Sequence, residues 1–147
     1  MKELVRRAGR EREFEIDSAA TSQEEIGNPP HHGTVRKLQE AGIPVAPHRA
    51  RQMRASELSQ WDYIICMDEE NLRGLRRIVG TDAARQAEDE RRIAKLLAYA
   101  NDSSSLVPPA CNARGHIRDV ADPWYTGDFD ATFQDVLAGC EGLLARL

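Results

Sequence analysis

The run Tyr63-Ile64-Ile65-Cys66-Met67, followed at once by Asp68, joins a compact apolar segment to a helix-start signal. Such a run, bounded by polar residues, fits a strand buried on both faces. Asp68 is a good cap because its carboxylate can accept the orphan N–H groups of a first helical turn. Leu72, Leu75, Arg76 and Val79 then recur at helical spacing, and Gly80 closes the element. A buried strand feeding an amphipathic helix is the repeating unit of an α/β fold.

The same alternation extends in both directions. Residues 2–7 read as the last turns of a helix closed by Gly9, and residues 13–17 (Glu-Phe-Glu-Ile-Asp) alternate as a half-buried strand does. Residues 18–30 form a loop ending in Gly27-Asn28-Pro29-Pro30, and residues 34–41 a helix stopped by Gly42. Ser56 caps a short helix reaching Gln60. Residues 81–101 are expected to be helical in their second half, where Ile93, Leu96, Leu97 and Ala100 make a stripe. Residues 102–115, with Ser103-Ser104-Ser105 and Pro108-Pro109, read as a mobile surface loop carrying Cys111. Residues 117–120 suggest a short strand. Asp128 opens a last helix with Phe129, Phe133, Val136, Leu137, Cys140, Leu143, Leu144 and Leu147 on one side. Strands separated by helices imply an α/β fold, a parallel sheet with helices on both faces. The expectation is one domain spanning 1–147.

Composition narrows the function. With 147 residues, 41% hydrophobic and 30% charged, the chain is long enough for a real core. A formal charge of −4 gives no support to nucleic-acid binding. No apolar run approaches the ~20 residues of a membrane span, and the charged amino end lacks the core of a secretion signal. Cys66, Cys111 and Cys140 are odd in number and lack metal spacing, which favours reduced thiols in a cytoplasm. His31-His32 has no partners at ligand spacing, so neither a metal nor another cofactor is expected.

The stretch Asp119-Val120-Ala121-Asp122-Pro123-Trp124-Tyr125-Thr126-Gly127 carries the chemical interest. Pro123 restricts the backbone at Asp122 and holds it at a turn. Trp124 and Tyr125 offer flat apolar walls suited to an aromatic group, and a carboxylic acid beside them can protonate a leaving oxygen. A plain turn before a helix explains the same residues equally well.

Taken in order, these segments resemble a low-molecular-weight protein-tyrosine phosphatase. The similarity runs from Glu13 to the carboxyl end. It is carried by Ile16-Asp17-Ser18-Ala19-Ala20-Thr21-Ser22, Gly27-Asn28-Pro29-Pro30, His48-Arg49-Ala50-Arg51-Gln52, Trp61 to Asp68, Asn71-Leu72-Arg73 and the Asp122-Pro123-Trp124-Tyr125 turn. The resemblance implies a three-layer sheet of family order 2-1-3-4. It also implies metal-free hydrolysis of a phosphotyrosine protein or small aryl phosphate through a cysteinyl-phosphate intermediate. Asp122 takes the place of the general acid, Trp124 and Tyr125 flank the substrate ring, and Ser18 and His48 support the phosphate loop.

One part of the pattern is absent from these residues. The family opens with a strand entering a Cys-x5-Arg-Ser/Thr loop at a helix start, whereas Met1-Lys2-Glu3-Leu4-Val5 resembles the helix that follows. The expectation is therefore a chain begun late, without strand 1, its nucleophile or its phosphate-binding arginine. Cys140 to Arg146 satisfies Cys-x5-Arg, but within a helix, whose N–H groups are already used. A phosphate loop needs those groups free and converging. Cys66 ends a buried strand, and Cys111 lacks the surroundings. As written, the chain is expected to be inactive, with self-association through exposed strand edges or a partly ordered amino end. The alternatives are an inactive phosphatase-like binding module and, weakest, an arsenate reductase of the related fold. Arg49, Arg51 and Arg54 could steer anions, although a solvated basic face is the commoner explanation.

Overall fold

The computed structural model describes residues 1–100, 111 and 115–147. Its α-helices are α1 (Lys2–Arg7), α2 (His32–Glu40), α3 (Glu69–Val79), α4 (Thr81–Asp89), α5 (Pro123–Thr126) and α6 (Phe129–Leu144). Strands β1 (Ile64–Cys66) and β2 (Ile93–Lys95) pair in parallel, Ile64 opposite Ile93 and Cys66 opposite Lys95. The expected α/β character is present. Among the described residues, however, the sheet is this pair alone, smaller than the sheet implied by the resemblance.

Helices cover both faces of the pair because alternate residues of β1 point opposite ways. Ile64 and Cys66 join Ile93 in a core closed by Leu72 and Leu75 of α3 and Ala84 and Ala87 of α4. On the other face Ile65 packs with Leu4 of α1, Leu96 and Leu97, Val120, and Val136 and Cys140 of α6. Leu75 and Leu97 are 1% and 0% exposed, each burial contributing about 2 kcal/mol. The α6 stripe includes glycines for a steric reason. A Cβ on Gly142 would lie 1.8 Å from the Tyr99 carbonyl oxygen, so only glycine permits this close approach.

Local capping follows the side chains. Asp68 Oδ1 accepts the Asn71 N–H at 2.6 Å, and Asp128 Oδ1 accepts the Ala131 N–H at 2.9 Å. α2 starts earlier than expected because His31 Nδ1 accepts the Gly33 N–H at 3.1 Å. Ser56 is not a cap. Residues Ala55–Ser59 form a 3₁₀ turn closed by Glu57, whose carboxylate accepts the Arg54 N–H at 2.8 Å.

Three other expectations are corrected. Residues 13–17 are not a strand: Glu11–Glu13 is a 3₁₀ turn and the following residues are extended without a ladder. Their alternation survives, with Phe14 and Ile16 half-buried and the Arg10 guanidinium 4.9 Å from the Phe14 ring centre. Periodicity records which side is covered, whereas a strand also needs a neighbouring strand. In residues 81–101 the helix occupies the first half. Small Ala84 and Ala87 let it lie against α3, while Ile93 is taken into the ladder by Ile64. Residues 117–120 make no regular strand; Ile117 forms an isolated bridge with Cys111, and Val120 N–H donates to Met67 O at 2.9 Å. The loop expected at 102–115 lies outside the described residues apart from Cys111 and Gly115. Among the described residues no helix is long and apolar enough to cross a membrane.

Candidate active site

Asp122 stands beyond the carboxyl ends of β1 and β2, the end at which open α/β sheets bind ligands. Three contacts put it there. Val120 N–H reaches Met67 just after β1, Asp119 Oδ1 accepts the Glu69 N–H at 3.1 Å, and Lys95 Nζ of β2 lies 2.9 Å from the same oxygen. Lys95 also donates to Ile117 O at 2.7 Å. Both strands thus tie down the segment leading to Asp122.

Locally Asp122 caps the four-residue helix α5. Its Oδ1 accepts the Trp124 N–H at 2.8 Å, and its carbonyl accepts from the Thr126 hydroxyl at 3.1 Å. Pro123 suits a first helical position, where no donor is needed. Gly127, at φ 68°, turns the chain out through a left-handed conformation. Among the described residues Asp122 Oδ2 has no hydrogen-bond partner, and the carboxyl group is open to solvent. Trp124 beside it is 78% exposed, an uncovered flat apolar surface. Tyr125 belongs to α5, and its side chain lies outside the described residues.

Ser18 and His48, thirty residues apart, come together with Ser18 Oγ 3.2 Å from His48 Nε2. The strut behind them is ionic. Arg51 binds Asp17 at 2.7 Å and Glu57 at 2.9 Å, and its guanidinium holds the Asp17 carboxyl below the ordinary range. Ala20 bridges to Gln52, and Gly74 of α3 leaves room for Thr21, which a Cβ would meet at 2.6 Å. Arg51 is therefore committed to structure, and Arg49 donates to Gly27 O at 2.7 Å. No hydrogen bond or ion pair among the described residues joins Asp122 to Ser18 or His48.

Among the described residues, the surroundings of Cys66 and Cys140 are not those of a nucleophile. Cys66 is 5% exposed at the end of β1, and burial pushes its thiol up to about 12, with Asp68 adding to the effect. Thiolate chemistry needs the opposite shift. Cys140 is 8% exposed inside α6, and Cys111 is half-buried in its bridge to Ile117. Among the described residues no group of His, Cys, Asp and Glu could hold a metal ion.

Comparison with known proteins resolves which family shares this arrangement. The family model described as low molecular weight phosphotyrosine protein phosphatase matches residues 1–147. The chain belongs to this family. The low molecular weight protein-tyrosine-phosphatase YfkJ of Bacillus subtilis is 36% identical over 146 residues, covering 99% of this chain and 82% of that protein. The crystal structure of YfkJ superposes with a TM-score of 0.80, covering 99% of this chain and 80% of the other. The human low molecular weight phosphotyrosine protein phosphatase is 32% identical over 135 residues, 90% of this chain and 74% of that one.

Within this low molecular weight phosphatase chain, three residues around the segment leading to Asp122 were missed from sequence. Lys95, Thr132 and Asp135 all bond to residues 117–121. Asp135 had a visible signal: a carboxylate between Phe133 and Val136 on a helix otherwise reading as core.

Proposed function

We propose that this chain is part of an enzyme that hydrolyses phosphotyrosine, with Asp122 as its general acid. The observation supporting this most directly is the Asp122 carboxyl group, anchored through Oδ1 and open through Oδ2, beside an exposed indole. As an acid it protonates the departing phenol oxygen; as carboxylate it then draws a proton from the water that hydrolyses the phosphoenzyme. Trp124 and Tyr125 wall the substrate ring. Ser18 and His48 hold the phosphate loop by hydrogen bonds, the Ser18–His48 contact setting their mutual orientation.

The reaction also needs a nucleophile. In-line attack on phosphorus needs a thiolate within a cradle of free N–H groups and a bidentate arginine. Burial of Cys66 and the helical setting of Cys140 argue against either in that role. The polypeptide of this sequence alone is expected to be inactive, and placing a strand and a Cys-x5-Arg-Ser loop ahead of Met1 is expected to give turnover. Reduced thiols and the −4 charge suit a cytoplasmic enzyme acting on phosphotyrosine proteins.

The test is kinetic. In a chain extended by such a strand and loop, Asp122→Ala should lower kcat by ~10²–10⁴-fold for a poor leaving group, the usual range for general acid–base catalysis. An unchanged kcat removes Asp122 from the role.

A further inference from the structure

Asp135 is a buried charged side chain in the middle of α6, 3% exposed. Burying a carboxylate costs several kcal/mol unless it is well bonded, and an apolar residue usually serves stability as well or better. Both of its partners lie on the segment that leads to Asp122. Arg118 Nη1 is 2.6 Å from Oδ2, and the same oxygen accepts the Ala121 N–H at 2.9 Å. One helical turn earlier, Thr132 Oγ1 donates to the Ala121 carbonyl at 2.6 Å, closer than its 3.1 Å contact with Asp128 O.

Ala121 immediately precedes Asp122. Its N–H belongs to one peptide plane and its C=O to the next, so α6 grips the planes on both sides of one residue. The second plane includes the Asp122 nitrogen, and its orientation sets where the Asp122 Cα–Cβ bond points. The four-residue helix α5 has little intrinsic stability of its own and cannot do this alone. Taking Asp122 as the general acid, as argued above, we propose that Thr132 and Asp135 are positioning residues for it: α6 aims the acid through the backbone of Ala121. Arg118 keeps Asp135 ionised and therefore a strong acceptor.

Amide hydrogen exchange on the purified chain tests this without requiring turnover. The reporter is the Trp124 N–H, which is bonded to Asp122 Oδ1. Thr132→Val removes the hydroxyl at constant volume and should speed Trp124 exchange by roughly fivefold to tenfold, the loss of one modest hydrogen bond. Thr132→Ser should return it to the parent rate, and Asp135→Asn should act like Thr132→Val. Amides of Leu75 and Leu97 should keep their protection. Unchanged Trp124 exchange in Thr132→Val overturns the proposal, as does equal acceleration at Leu75 and Leu97, which marks a merely structural role. Should Asp135→Asn fail to fold, the two Thr132 variants decide. Asp122→Ala kinetics can fail while this result stands, and the reverse, so the two ideas are separable.

Discussion

The ammonium of Lys95, at the end of β2, lies 2.9 Å from Oδ1 of Asp119, and that oxygen also accepts the first N–H of α3 from Glu69. Strand, helix and the acid-bearing segment thus meet at one carboxylate. Lys95 is only 15% exposed, so its bonds are partly shielded from water. Lys95→Met keeps the aliphatic stem and removes three donors. It should destabilise the fold by about 1–2 kcal/mol, the usual range for a charged hydrogen bond in a half-exposed setting. Urea denaturation measures this, and an unchanged midpoint would show the junction to be ornamental.

Gly142 sets the approach of α6 to residues 96–99. Because an added Cβ would meet backbone rather than a movable side chain, Gly142→Ala must push the helix away. A loss of about 2–3 kcal/mol is expected, in line with other overpacked sites. A melting temperature equal to that of the parent would mean that α6 does not sit this close to Tyr99.

Acid should weaken the protein through two arginine-bound carboxylates. Burial alone would raise the Asp135 value, but Arg118 and the Ala121 N–H outweigh it and hold the group below the ordinary Asp range. Arg51 does the same for the more exposed Asp17. A folded value below the unfolded one adds stability that is complete above the unfolded value, ~3.9, and lost as pH falls through the folded value. Stability should therefore be level from neutrality to about pH 5 and fall below about pH 4. Asp135→Asn should lower stability at neutral pH and flatten part of the acid loss. Parallel pH curves for parent and variant would contradict this.

Those residues also mark what the sequence could reveal. Asp68 and Asp128 were legible as caps because each bonds a backbone N–H three residues ahead. The Ile93 stripe misled because helix spacing and a strand followed by a 3₁₀ turn share the same apolar residues. Ile64, twenty-nine positions away, chose between them. Residues 13–17 kept their alternation and found no strand to pair with. At the site, Asp122 and Trp124 stood out through a local Asp-Pro turn, and Ser18 and His48 through family likeness. Thr132 and Asp135 act on Ala121 across eleven and fourteen residues, a distance no local pattern spans.

Cys66 should be chemically silent in the folded protein. With its thiol pushed up to about 12 by burial, almost none is thiolate at pH 8. Brief alkylation followed by mass spectrometry should find Cys66 unmodified in buffer and modified in urea. Rapid labelling in buffer would place it in a more open setting than the end of β1.

Steady-state hydrolysis of p-nitrophenyl phosphate by the purified 147-residue chain tests the central claim most directly. The expected result is no turnover above the uncatalysed rate, because an acid without an activated nucleophile and its N–H cradle does not open the cysteinyl-phosphate route. Turnover that disappears on Cys66→Ser, Cys111→Ser or Cys140→Ser would contradict the account, since it would place the nucleophile within these residues after all.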